Sequence, residues 1–330
     1  MTMIETAGGY AYIPGVFQYS AGVAALPGFR IERVRFSRPV PVREGFALAA
    51  RLIEAAGRPL TAFCACELRS PAPFTEAGFR TFNEGYVRAL AEWGVVKDGT
   101  NPVARSNVCP EVDPPATPSF HAFAFATVAA TAPRSFVIAG SGEVPEGKAN
   151  YRDHIVRRGD LSPEGLREKA RWVLGEMERR MGAFGMGWPQ TTGVQLYTVY
   201  DIHPFLQDEL VRRGTARHGL TWHFDRPPIV DIDYEMDCRG RQHPENRGQT
   251  PFVRENRGQT PFVRCPWQPP HQGASSTPTT SRLPTAARAA SIWSRRERWR
   301  GLSRRSICGP CMPRRRSRSA LRRFCARIAP

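Results

Sequence analysis

Several things are missing from this sequence, and each absence closes a class of function. No stretch approaches the roughly 18 consecutive apolar residues of a membrane-spanning helix. Met1-Thr2-Met3-Ile4-Glu5 has no basic region leading into an apolar run, so no secretory leader is expected and the reading places the chain in the cytoplasm. Of the four cysteines in the first 240 residues, Cys64, Cys66, Cys109 and Cys238, the pair Cys64 and Cys66 reads as packed thiols. Cys64 and Cys66, two apart on a strand, point in parallel and are poorly placed to bond each other. Metal-ligand spacing is also lacking. His218 and His223 come nearest, but strand alternation sends them to opposite faces, so no metal is expected.

Net charge is missing from most of the chain too. The total is +17 over 330 residues, yet residues 241–330 hold 20 Arg, no Lys and three Glu. That stretch accounts for all of it. The remaining 27 basic and 27 acidic side chains cancel, so the basic character says nothing about the first 240 residues.

Those 240 residues alternate between strand and helix patterns. Ile31–Phe36 reads as a half-buried strand, Pro41–Ala56 as a helix stopped by Gly57, and Thr61–Arg69 as a strand with Ala62, Cys64, Cys66 and Leu68 on one face. Thr75 is placed to cap a helix with the stripe Phe79, Phe82, Tyr86, Leu90, and strands follow at Val103–Val108 and Ser119–Val128. The order then recurs. It runs through a strand at Ser135–Ala139 ending in Gly140-Ser141-Gly142, a helix opened by Ser162-Pro163, a strand at Val194–Tyr200, and a short helix at Pro204–Arg213. Strands at Thr221–Phe224 and Ile229–Asp237 close it. The expected class is α+β: two tandem modules, 1–130 and 131–240, each a mixed sheet with helices on one face.

After Gly240 the grammar changes. Glu245–Arg254 is repeated without change as Glu255–Arg264, and beyond it Arg, Pro, Ser and Ala dominate without apolar periodicity. Residues 241–330 therefore read as a disordered tail, a frameshifted or inserted stretch that touches nucleic acid only non-specifically. Cys308-Gly-Pro-Cys311 copies a redox tetrapeptide but lacks the strand and helix that would activate its thiols.

The chemistry-bearing string is Asn101–Val108, which sets Arg105 near the start of a strand. A guanidinium held there can grip a carboxylate through two parallel hydrogen bonds, or can sit in a plain structural ion pair. Glu67 and Arg69, alternating on their strand, read as a structural pair.

Ala104-Arg105-Ser106-Asn107-Val108 resembles the signature strand of the Rid/YjgF family, also labelled endoribonuclease L-PSP. Tyr19-Ser20-Ala21-Gly22-Val23 resembles that family's N-terminal motif, and Phe136–Gly142 its strand ending in Ser-Gly. Thr192–Asp201, Asp225–Pro228 and Asp231–Glu235 resemble later strands, so the likeness spans about residues 10–238. It implies a chorismate-mutase-like fold for each module, trimeric self-association with sites at subunit interfaces, and no cofactor. The implied reaction is hydrolysis of a small imino or enamino acid to a 2-oxo acid and ammonia. Arg105 would anchor the substrate carboxylate and Tyr19 would line the pocket.

Two departures stand out. Alignment on Arg226-Pro227-Pro228 puts Gly219 where the second module should carry its arginine. The strand Ser119–Val128 lacks the water-positioning glutamate and offers only His121, whereas the second module's last strand offers Asp231, Asp233 and Glu235. The expected site therefore comprises Arg105, Tyr19, His121, Asp233 and Glu235, with a composite of the two modules as one arrangement. A catalytically degenerate protein that binds small carboxylates or serves as an assembly scaffold is the alternative.

Overall fold

A computed structural model describes residues 2–148 and 150–241, with the backbone of Arg254–Asn256. These lie within one unit, residues 1–263. Residues 264–330, with the thiol pair Cys308 and Cys311, fall outside the described residues.

The strands are β1 (Ile4–Glu5), β2 (Tyr10–Ile13), β3 (Gly22–Ala25), β4 (Phe29–Pro41), β5 (Phe63–Arg69), β6 (Ala104–Pro110) and β7 (Ser119–Val128). After them come β8 (Ser135–Gly142), β9 (Thr191–Tyr197), β10 (Leu220–His223), β11 (Asp225–Arg226), β12 (Glu235–Arg241) and β13 (Arg254–Asn256). The helices are α1 (Val42–Ala55), α2 (Glu76–Glu92), α3 (Pro163–Ala183) and a short α4 (His203–Phe205) that widens into a π turn over Leu206–Val211. One sheet runs β11-β6-β5-β7-β4-β13 and the other β1-β2-β3-β8-β12-β9-β10. Within the first, β6 is parallel to β5, which is antiparallel to β7, itself antiparallel to β4. The second repeats this with β10, β9, β12 and β8. The chain is thus α+β, with two mixed sheets of the same internal plan.

Local chemistry explains the helices. Ser162 Oγ accepts from Gly165 N at 3.1 Å, Pro163 fills the first turn, and α3 buries Leu166, Ala170, Val173, Met177 and Met181 against β8, β9 and β12. Each large side chain in that stripe contributes about 1.5–3 kcal/mol, so an aspartate at Val173 would open the module. Thr75 Oγ1 caps α2 by accepting from Gly78 N at 3.1 Å, and α1 ends at Gly57, which takes φ +68.

Three expectations need correction. Cys64 does not share a face with Cys66: a register shift between Phe63 and Ala65 turns it into the cluster between the sheets, while Cys66 packs under α2. Ile229–Asp237 is not one strand, because a turn with Asp231 at φ +73 delays β12 until Glu235. Glu67 and Arg69 do not pair with each other. Glu67 binds Arg33 (2.5 Å) and Arg239 (2.5 Å), and Arg69 lies 3.5 Å from Asp225.

The two sheets also exchange strands. The hairpin β2–β3 pairs onto β8, whereas β11 pairs onto β6. Between them lies a cluster of small residues, including Ala65, Ala104, Ala124 and Ala139, which lets the backbones approach. Beside it, Glu67 links Arg33 of β4 to Arg239 of β12, and Asp237 accepts from Gln195 (2.9 Å) and Tyr197 (2.8 Å). Burial alone would raise the Glu67 pKa, but Arg239 and Arg33 outweigh it and hold the carboxyl well below its usual range.

Candidate functional site

Parallel pairing sets Arg105 of β6 opposite Cys66 of β5, with its side chain directed at α2. The guanidinium carbon lies 4.9 Å from the Tyr86 ring, 5.5 Å from Tyr19 and Phe79, and 5.9 Å from Phe82. Nη1 donates to Asn83 Oδ1 at 2.6 Å. Arg105 is 3% exposed, and among the described residues no carboxylate forms an ion pair with it. A buried cation without a counter-ion, caged by aromatic faces, is costly unless an anion arrives to meet it.

Orphan polar atoms surround it. Asn83 Nδ2, Ser106 Oγ and Asn107 Nδ2 are buried with no hydrogen-bond partner among the described residues. Such groups are uncommon in folded proteins and call for a reason.

Tyr19 is brought beside Arg105 by its neighbour. Ser20 bridges to Ala104, its N–H donating to Val103 O (2.9 Å) and its hydroxyl to Pro102 O (3.1 Å). Burial, then the Glu146 carboxylate, pushes the Tyr19 phenol well above its usual pKa, so it stays protonated.

Opposite stands Glu235, the first residue of β12, in register with Gly142 of β8 and Tyr197 of β9. Its Oε1 occupies the space a Cβ at Gly140 would need, so any side chain there would displace it. Glu235 is 4% exposed and has no hydrogen-bond or ion-pair partner among the described residues. Burial, then the nearby Asp237 carboxylate, raises its pKa well above the ordinary range, against the pull of Arg105. Tyr19, Arg105 and Glu235 line one cavity of about 50 Å3, together with Asn107, Gly140–Gly142, Glu146 and Tyr151. Phe79, Val144, Ile155, Ile229 and Ile232 form an apolar cluster there, four of them lining the cavity.

The structure thus brings three of the expected residues together and leaves two apart. His121 lies in the polar layer between the sheets, where burial and then Arg69 bring its pKa down to about 3. Asp233 is held by Lys169 at 2.8 Å. Lys169 also meets Glu143, whose carboxylate accepts from Asp233 N (2.7 Å) and Tyr234 N (3.0 Å) and is pushed up by burial to about 7. That clip fixes the chain two residues before Glu235. In the second sheet β10 is Leu-Thr-Trp-His, with no arginine, in keeping with the reading at Gly219.

Sequence reasoning missed Asn83, which holds the arginine. Its signal was there: an amide on the otherwise aromatic stripe of α2, one turn after Phe79. It also missed Glu146 and Tyr151, which sit in an irregular segment with no pattern to read.

Among solved structures, a chorismatase is 15% identical, the match covering 73% of this chain and 79% of that one with a TM-score of 0.35. TdcF of E. coli with bound serine is 14% identical over 35% of this chain and 85% of its own, with a TM-score of 0.24. Described residues include no helix long and apolar enough to cross a membrane. A 2-amino-5-chloromuconate deaminase of Comamonas testosteroni is 52% identical over 240 residues, spanning 72% of this chain and 96% of that protein. Residues 2–244 match the family described as 2-aminomuconate deaminase CnbZ, and with a match of that length the chain belongs to that family.

Proposed function

We propose that this protein is a deaminase for 2-aminomuconate or a close relative, and that it hydrolyses the imine tautomer to a 2-oxo acid and ammonia by Rid-type chemistry. One observation carries the reading: Arg105 is buried without a counter-ion, in the same cavity as Glu235, a buried carboxyl without a partner. Family membership supports the substrate class. The ordered strand motifs read from the sequence support the Rid assignment.

In this mechanism Arg105 grips the carboxylate next to C2, helped by the orphan amides of Asn83 and Asn107. Tyr19 and Phe79 wall the conjugated chain. Glu235 starts protonated and gives its proton to C3, converting the neutral enamine C2=C3 to the protonated imine C2=NH2+. Now ionised, it takes a proton from water as the oxygen adds to C2. It returns that proton to nitrogen, and as the C2–N bond breaks the C2 hydroxyl gives its own proton to Glu235, so ammonia leaves, C2=O forms and the acid is restored. Water enters, ammonia departs, and no oxidant is used. Holding water, imine carbon and carboxyl in line lowers the barrier by several kcal/mol without a covalent intermediate. The test is stoichiometry: purified protein should yield one ammonia and one 2-oxo acid per 2-aminomuconate consumed, faster than buffer. A rate equal to buffer would overturn the reading.

A further inference from the structure

The cavity that Arg105 shares with Tyr19 and Glu235 is well below the few hundred Å3 of a typical small-molecule site, and a six-carbon chain with a charge at each end exceeds it. Some lining group therefore has to move, and Glu146 is the candidate. It sits in the irregular segment between β8 and α3, lines the cavity, and among the described residues accepts one hydrogen bond, from Arg180 Nη2 at 2.8 Å. Arg180 of α3 is 0% exposed. It donates to Ala139 O (3.0 Å) and to the cavity-lining Ser141 Oγ (3.2 Å), with Glu176 3.6 Å from its Nε. Nε itself has no hydrogen-bond partner among the described residues. Tyr19, whose ring lies 5.5 Å from the Arg105 guanidinium carbon, shares the cavity lining with Glu146 and so joins the two ends of the site.

We propose that Arg180 binds the far carboxylate of a dicarboxylate substrate after Glu146 gives up its place, making Glu146 an exchangeable internal carboxylate and Arg180 the residue that selects diacids over monoacids. This rests on the deaminase reading above, in which Arg105 takes the near carboxylate. Exchanging one carboxylate for another keeps two carboxylates beside the buried Arg180 throughout, with Glu176 holding its place near Nε.

Calorimetric binding of two unreactive probes of matched double-bond geometry separates the possibilities: muconate, with two carboxylates, and sorbate, the same six-carbon diene with one. Wild-type protein should bind muconate about tenfold more tightly than sorbate. Glu146→Gln, which removes the competing charge from a partly exposed position, should tighten muconate several-fold and leave sorbate unchanged. Arg180→Gln should erase the preference. If that variant does not fold, Glu146→Gln decides alone. Equal affinities for the two probes, or a Glu146→Gln effect of the same size on both, overturns the proposal. Arg105→Gln tests the underlying reading separately, since sorbate binding that survives it would count against Arg105 as the carboxylate grip and not against Arg180.

Discussion

Arg105 and Glu235 face one cavity from different sheets, and among the described residues neither has an ion-pair partner. A buried arginine and a buried carboxyl group sharing a cavity would ordinarily pair. Here the arginine is held back by Asn83 and an aromatic cage, and the acid is placed across Gly140. Both are left available for a guest.

The free protein should therefore tolerate loss of the arginine. Arg105→Gln removes a buried charge that no anion compensates, so its melting temperature should equal or exceed that of wild type. A drop of several degrees would mean that Arg105 has a structural partner after all.

Glu235 gives a pH signature. Its folded pKa is raised, so the native state keeps a proton that the unfolded chain releases above about 4.5. The associated stability is present below that pH and is lost as pH rises toward the folded value. Glu235→Gln mimics the protonated form, so it should match wild type in melting temperature near pH 4 and exceed it increasingly toward pH 8. Its kcat should fall about 10²–10⁴-fold. A stability difference independent of pH would contradict the placement.

Gly140→Ala should damage catalysis more than folding. The added Cβ collides with Glu235 Oε1 and crowds Ser106, displacing the acid while the strand pairing of β8 persists. We expect kcat to drop at least about tenfold with KM little changed, since positioning errors of about 1 Å cost that much or more. Steady-state kinetics decides, and an unaltered kcat would separate Glu235 from the chemistry.

His121 and His223 act on stability instead. Burial, then Arg69, lowers them to about 3 and about 4, so the native state resists protonation that the unfolded chain accepts below about 6.5. Stability contributed above that pH is lost as pH falls through the window from 6.5 to 3. The double change His121→Asn, His223→Asn should flatten the acid limb of a melting profile and leave kcat within about threefold.

The basic C-terminal stretch should be dispensable. A chain ending after Val263 should keep kcat/KM within about threefold of the full chain, while salt-dependent RNA binding is lost with the removed residues. Retained RNA affinity in the shorter chain would reopen the nucleic-acid reading.

Much of this was legible in the sequence because it is local. The Ser162-Pro163 cap, the α3 stripe and the Thr75 cap are encoded within a few residues, and Arg105 sits in a string that declares itself. What escaped was non-local or irregular. Strand alternation put Asp233 and Glu235 on one face, but the positive φ of Asp231 breaks the strand and hands Asp233 to Lys169. The exchange of β2–β3 and β11 between sheets depends on pairings over a hundred residues apart, for which no periodicity speaks. The gap at Gly219 and the acids near residue 235 hinted at a composite site, and the cavity walls are drawn from both sheets of one chain.

The most direct measurement is ammonia release from 2-aminomuconate by wild type and Arg105→Gln at matched fold and temperature. The account predicts turnover by wild type and a loss of at least about 100-fold in kcat/KM for the variant, the effect expected from removing a buried carboxylate grip. A variant within about threefold of wild type would contradict it.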